Sequence, residues 1–381
     1  MTKPSDSDFE CVVCGSLVTE SNDCDEHVIP NSIGGRLKTR GFICADCNNK
    51  TGYSWDAELA QQMNPLCLFF GIVRERGAPP PQAFETTAGE RLVVRPDGGL
   101  SLEHPIYKEQ QSGSGIRFDM VARTRGEARK MLEGVKRNYP GMDIKTSVEN
   151  LTVSSSYPKG AIRLDISFGG EMPGRSLVKT VAAFAHHSGI SSKICHLAIM
   201  YLRDAAANAC FGYYYEDELV AGRPSGTPFH CVAVSGNPAT GLLLGYVEYF
   251  GVQRVVVCLS DTYEGAAFNR AYAIDPTKGR EIDVSVRLPF SVTDVAAIYD
   301  YKKFPGGALQ RAFSEVIPAA LKKKFEKEKD RVISDAVEYA FANCGAKIGE
   351  VLTAEQTWKL SRLAAERVVP FILRNASSRR G

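Results

Sequence analysis

A chain of 381 residues that is 44% hydrophobic and 24% charged is long enough for two or three domains, with ordinary apolar cores. Its formal net charge of +2 gives no bulk argument for or against nucleic acid, and its 11 cysteines, several within apolar stretches, fit a reducing compartment. The sequence shows neither a charged-then-apolar leader nor an apolar run near the ~18 residues of a membrane span, which sets the expectation of a cytoplasmic protein. Charge is unevenly spread: residues 1–78 hold 7 Lys and Arg against 11 Asp and Glu, whereas residues 301–381 hold 16 against 9. If the N-terminal segment works on a phosphate backbone, it needs bound metal or cations from elsewhere.

In chain order, residues 1–9 are polar and read as a frayed end. Two Cys-x-x-Cys knuckles follow, Cys11/Cys14 and Cys44/Cys47. Each offers two thiolates to one metal, which is what a tetrahedral four-cysteine zinc site requires. Cys24 lies between them without a partner knuckle and reads as a spare thiol. Glu26–Ile29 reads as a strand and Gly34-Gly35 as a turn. Arg36, Lys38 and Arg40 then alternate, so one face of that segment presents three cations, either to phosphates or, as an edge strand, to solvent. Asn48 opens a helix expected to end near Gly52, from which Lys50 can reach a phosphate. Ser54 is expected to cap a second short helix, with Trp55, Leu59 and Met63 forming a packing stripe toward the next domain.

The string Glu26-His27-Val28-Ile29-Pro30, then Gly34-Gly35, then Cys44-x-x-Cys47-Asn48, resembles the HNH endonuclease family in its cysteine-flanked ββα-metal form. The resemblance covers residues from about 11 to about 60. It implies a metal-dependent nuclease hydrolysing phosphodiester bonds, with double-stranded DNA the expected partner and a 5′-phosphate product end. It also implies His27 as general base, and Glu26 and Asn48 as ligands of a catalytic Mg²⁺ or Mn²⁺. Asp25 competes with Glu26 for the ion, because neighbouring strand residues face opposite ways. The chain departs from the family at Thr39, which stands where the family has its central asparagine. A hydrogen bond from Thr39 across the hairpin would still orient His27.

The chemistry asked of these residues is ordinary. Phosphodiester hydrolysis needs a base for water and a cation for the developing charge. An imidazole accepts a proton near neutral pH, and oxygen donors suit Mg²⁺ or Mn²⁺. The bland alternatives are a zinc ribbon without catalysis, a strand histidine satisfied by backbone, and an asparagine that only caps its helix.

The Pro79-Pro80-Pro81 run reads as a stiff spacer. Beyond it, Arg91–Arg95 and the residues after Asp97-Gly98-Gly99 read as a hairpin, Ser112–Gly115 as a flexible loop and Ile116–Thr124 as a strand. Thr124 and Glu127 have capping-box spacing ahead of a helix. Ile162, Leu164, Ile166 and Phe168 alternate with polar residues as a half-buried strand does. Helices are expected near 175–188 and 192–209, with His186, His187 and His196 as ordinary helix histidines. Phe229–Val234, Leu242–Phe250, Val255–Leu259, Arg270–Ile274 and Val284–Leu288 read as strands of an antiparallel sheet with helices to one side. The glycine-rich 235–241 loop lacks a P-loop lysine and reads as a turn.

From Gly307 the pattern is helical, with a Lys/Glu-rich run at 322–329 that reads as a solvated face. The expectation is an α+β protein: a zinc-pinned nuclease module over 1–78, a domain of unassigned role over 79–305 and basic helices over 306–381. The functional alternatives are a non-catalytic zinc module that binds nucleic acid, and a defence effector gated by a small molecule or protein at the middle domain.

Overall fold

The computed structural model describes residues 9–113, 115–152 and 156–377. The chain is α+β and divides into two compact units, residues 1–223 with 228–309, and residues 224–227 with 310–381. The first unit takes in the cysteine-rich segment and the large sheet together. The N-terminal residues form a two-residue hairpin, β1 (Glu26–His27) and β2 (Lys38–Thr39), followed by α1 (Ala45–Tyr53) and α2 (Trp55–Phe70). Gly34 turns the hairpin at φ 101°, and at Gly35 a Cβ would lie 1.8 Å from the Ile29 carbonyl oxygen. The Gly-Gly pair is thus required twice, once for a left-handed backbone and once for space.

Helix α2 is longer than the sequence suggests, because Pro65 sits inside it without ending it. Its Leu59 and Met63 are buried as expected, and α2 packs along a later helix over Glu171–His187. A small sheet follows, β3 (Gln82–Glu85), β4 (Arg91–Val94) and β5 (Leu100–Leu102), with Phe84 and Val94 packed on Leu68 of α2. The Asn64 side chain donates to the Pro80 carbonyl at 3.0 Å, so the proline run is docked on α2.

Next come β6 (Ile106–Ser112) and β7 (Gly115–Val121), paired from Ile106↔Val121 to Ser112↔Gly115. Ser112 and Gly115, the ends of the stretch expected to be a flexible loop, are thus paired residues of a hairpin, and Ser114 between them lies outside the described residues. Thr124 caps α3 (Arg125–Asn138), and α4 (Ile144–Glu149) follows. The 162–168 stretch keeps its predicted alternation of half-buried and exposed residues but is not a strand. It makes one bridge, Thr86↔Ile162, and then leaves the sheet, while Ile162 and Leu164 still pack on the small core. Alternation records burial here, not pairing.

Helix α5 (Glu171–His187) is buried from Pro173 to Ala185, which requires neighbours on every side. α6 (His196–Arg203) runs on from it. The main sheet has six strands in the order β14-β13-β10-β11-β12-β8, all antiparallel: β8 (Phe211–Tyr213), β10 (His230–Asn237), β11 (Leu242–Tyr249), β12 (Gln253–Ser260), β13 (Phe268–Asp275) and β14 (Arg280–Ile282). A separate pair joins β9 (Val220–Ala221) to β15 (Ser285–Val286). The 235–241 loop is the plain turn between β10 and β11.

The sheet is covered on both faces, not on one side only. α5 lies on the Val232, Val234, Gly245 and Val247 face, and a Cβ on Gly245 would come within 1.9 Å of Val181. α7 (Val292–Tyr299) buries Val295 and Ile298 against Cys231, Ala233, Leu244 and Tyr246 on the other. Two-sided burial explains why all eight residues of β11 and of β12 are buried.

The second unit is built around α8 (Ala308–Asn343), which belongs to it from Gln310 on and is continuous through Pro318, and α9 (Ala354–Ser377). Phe325 stacks on Phe371, and the Lys/Glu run forms exposed pairs such as Lys329–Glu326 and Arg331–Glu328, as a solvated face does. Among the described residues no helix is long and apolar enough to cross a membrane.

His230 fastens the N-terminal hairpin to the sheet. Its Nε2 donates to the Ile33 carbonyl at 2.8 Å, and its Nδ1 accepts from the Phe250 amide at 3.1 Å. Only a neutral imidazole satisfies both, and burial lowers its pKa to about 4. An unfolded histidine near 6.5 binds a proton that the folded one refuses, so stability rises with pH between about 4 and 6.5, by on the order of 3 kcal/mol. We expect the urea midpoint to climb across that window, and His230→Gln to flatten the climb; an unchanged slope in the variant would discard the assignment.

Candidate active site and metal centre

The four knuckle cysteines meet. The Sγ atoms of Cys11, Cys14, Cys44 and Cys47 all lie within 4.8 Å of one another, and no other group of three or more His, Cys, Asp or Glu ligand atoms is as close among the described residues. Cys14 and Cys44 are 3.9 Å apart, against an S···S edge of roughly 3.8 Å for thiolates tetrahedral about zinc at ~2.3 Å. The donor set therefore fits a metal ion such as zinc.

Local backbone builds the cage. Cys11 N–H donates to Ser16, Gly15 takes φ 74°, and Cys44 stands at the N-cap of α1 with Cys47 one turn inside. Arg203 of α6 donates to the carbonyls of Cys11 and Val12 at 2.9 and 3.1 Å. A hydrogen bond from Ser16 brings Cys14 down to about 6, while burial and the neighbouring thiols push Cys47 up. Four sulfurs this close resist holding several negative charges unless a cation sits among them. Cys24 lies outside the cage.

The hairpin sorts the remaining residues by face. Register pairs Glu26 with Thr39 and His27 with Lys38. Glu26 and Thr39 point inward and are buried, whereas His27 and Lys38 point outward. Thr39 is thus on the wrong face to orient His27, contrary to expectation.

Glu26 does not meet His27 and Asn48 at one open point either. Its Oε1 accepts from the Lys179 ammonium of α5 at 2.8 Å, and that ammonium also donates to Asp56 Oδ2 at 2.5 Å and Thr51 Oγ1 at 3.4 Å. Burial opposes the Lys179 charge, but Asp56 and Glu26 more than offset it and raise the ammonium above its ordinary value. Burial lifts Glu26 above the usual carboxylate range. An ammonium already stands where a divalent ion on Glu26 would stand, so this carboxylate does not fit a catalytic metal in this arrangement.

His27 is differently placed. Its Nε2 donates to Glu75 Oε2 at 2.7 Å, and Lys38 Nζ donates to the same oxygen at 3.0 Å, with Arg36 Nη1 at 3.9 Å from Oε1. Burial lowers the imidazole below its ordinary value against the pull of Glu75, while hydrogen bonds from His27 and Lys38 hold Glu75 down at about 2. Asp25, two residues before His27 and on its face of the strand, is 59% exposed, with Arg40 at 3.8 Å. Asn48 Nδ2 donates to Cys24 Sγ at 3.2 Å and reaches the Asp25 carbonyl at 3.5 Å. Asp25 thus offers an exposed carboxylate, and the half-buried Asn48 side chain reaches the backbone of the same residue. Arg40 also pairs with Asp23 at 3.0 Å, and Lys50 is exposed on α1.

Three residues were missed by sequence reasoning: Lys179, Asp56 and Glu75. Glu75 is 48 positions from His27 and Lys179 is 153 from Glu26, beyond any local pattern. A lysine among the apolar residues of α5 was the one available signal.

A family model described as HNH endonuclease matches residues 11–64, the segment that carries the cage, the hairpin, α1 and most of α2. Neither the curated proteins nor the solved structures contain a match to the chain. An HNH domain points to nuclease activity on nucleic acid.

Two outcomes follow for the metal cage and the buried triad. Metal analysis of the purified chain should find about one zinc, lost in a Cys14→Ser/Cys47→Ser variant. Lys179→Met should destabilise by about 3–5 kcal/mol, because it leaves Glu26 and Asp56 buried without their cation, and adding Glu26→Gln should recover part of the loss in urea titrations.

Proposed function

We propose that this protein is a metal-dependent endonuclease that hydrolyses phosphodiester bonds in DNA, with His27 as general base. The observation that carries the reading is the outward face of the hairpin, where His27, Lys38 and Arg36 gather around one carboxylate within the segment that also carries the four-cysteine cage. His27 takes a proton from water, the water oxygen bonds to phosphorus, and the bond to the 3′ oxygen breaks. Arg36 and Lys38 lie on the same face and are suited to hold the phosphate. Asp25 and Asn48 are the residues that would hold a Mg²⁺ or Mn²⁺ ion, which when bound supplies Lewis-acid stabilisation of the leaving oxygen. Glu26, in this reading, is a structural anion for Lys179. Zinc in the cage shapes the module and takes no part in the chemistry.

A second reading has its own support. The ammonium on Glu26 also suits a zinc module that binds nucleic acid and does not cut it. A plasmid-nicking assay in Mg²⁺ or Mn²⁺ separates the two. The nuclease reading expects cleavage that His27→Ala lowers by about 10²–10⁴-fold with zinc content unchanged, and that Asp25→Asn also lowers. Wild-type nicking in His27→Ala, or DNA binding without any nicking, would remove it.

A further inference from the structure

Glu75 sits in a segment that the hairpin itself holds in place. Its backbone N–H donates to the Asn31 side chain at 2.9 Å, Val73 N–H donates to the Pro276 carbonyl at 2.8 Å, and Arg36 Nη2 donates to the Val73 carbonyl at 3.2 Å. The carboxylate so delivered is shared by an imidazole and an ammonium at hydrogen-bond distance, with a guanidinium close behind. It does not exhaust those donors. Arg36 Nε is buried with no hydrogen-bond partner among the described residues. Lys38 carries three N–H groups, and Glu75 offers only two oxygens. A phosphodiester has the same single charge as a carboxylate and more acceptor atoms around its centre.

From this we infer that Glu75 occupies the seat of the substrate phosphate. Lys38 and Arg36 form an oxyanion site, beside His27, for one phosphodiester of a nucleic acid backbone, and the 71–78 segment carries an internal anion that the substrate must displace. The inference rests on the nuclease reading for its substrate class. The competing role for Glu75, orienting His27 as a base, fits the contacts less well. A carboxylate meant to polarise an imidazole gains nothing from two further cations that neutralise it. It also caps the nitrogen that faces the cationic side of the hairpin. With the phosphate seated instead, that nitrogen is released beside the reacting group.

The test measures binding apart from cutting. A short fluorescein-labelled DNA duplex is titrated with no added Mg²⁺ or Mn²⁺ against the zinc-loaded full-length protein and against Glu75→Gln, which keeps the backbone N–H that Asn31 accepts. Glu58→Gln, an exposed acid on α2, controls for the loss of one charge. We expect Glu75→Gln to tighten the Kd about tenfold, Glu58→Gln to change it less than about twofold, and Lys38→Ala added to Glu75→Gln to cancel the gain. Inorganic phosphate should compete with the duplex more effectively in Glu75→Gln than in the wild type. In nicking assays the same variant should lower KM with kcat held or raised. Equal or weaker binding by Glu75→Gln with an unchanged melting temperature, or a fall in kcat with KM unchanged, overturns the inference in favour of an orienting role. Because binding is read without a catalytic ion, a protein that never nicks can still show the tenfold gain, so the two proposals fail separately.

Discussion

The buried ammonium of Lys179 is the contact on which the arrangement of the first unit depends. It lies on a helix enclosed by α2 on one side and the six-stranded sheet on another, and it joins Glu26 of the hairpin to Asp56 of α2. An isolated ammonium in that position would cost several kcal/mol, and two carboxylates with a threonine hydroxyl offset the cost only if all three elements are in register. Ser176, one turn earlier on α5, donates to the same Asp56 at 2.5 Å, and Thr180 bonds Tyr249 of β11 at 2.8 Å. The polar residues of α5 thus divide between the cysteine-rich module and the sheet. The cysteine-rich segment is consequently seated on the sheet, with His230 making the second fastening at the turn of the hairpin.

That seating gives the two sides of a very short hairpin different work. The side carrying Glu26 and Thr39 faces a low-dielectric interior, where a carboxylate needs a permanent counter-charge. The side carrying Asp25, His27, Arg36, Lys38 and Arg40 meets solvent, where charges remain exchangeable. Adjacent acids at 25 and 26 look equivalent in the chain, but strand alternation sends one to each environment. The proposed function assigns the ion to the exposed acid for that reason, and leaves the buried one to packing.

Burial by neighbouring elements also accounts for the elements that departed from expectation. Strands β11 and β12 carry no polar alternation because α7 covers the face that a one-layer reading would leave wet. The 162–168 segment alternates because it rests on a small apolar core, while its backbone partners run out after a single bridge at Thr86. Helix α2 continues past Pro65, and Asn64 beside it donates to the Pro80 carbonyl and to the Gln82 side chain.

Local chemistry was legible in the chain itself. Cysteine spacing of two within each knuckle aims each pair of thiols at one point, because a two-residue turn leaves few directions for its sulfurs, and the Gly-Gly turn and the Thr124 cap are set by contacts within a few residues. What the chain could not disclose was which charges meet. Glu75 and His27, Glu26 and Lys179, His230 and Ile33 are separated by 48, 153 and 197 positions. Electrostatic partnership depends on distance in space and on the dielectric around it, and both exist only once α5 has been packed between the hairpin and the sheet.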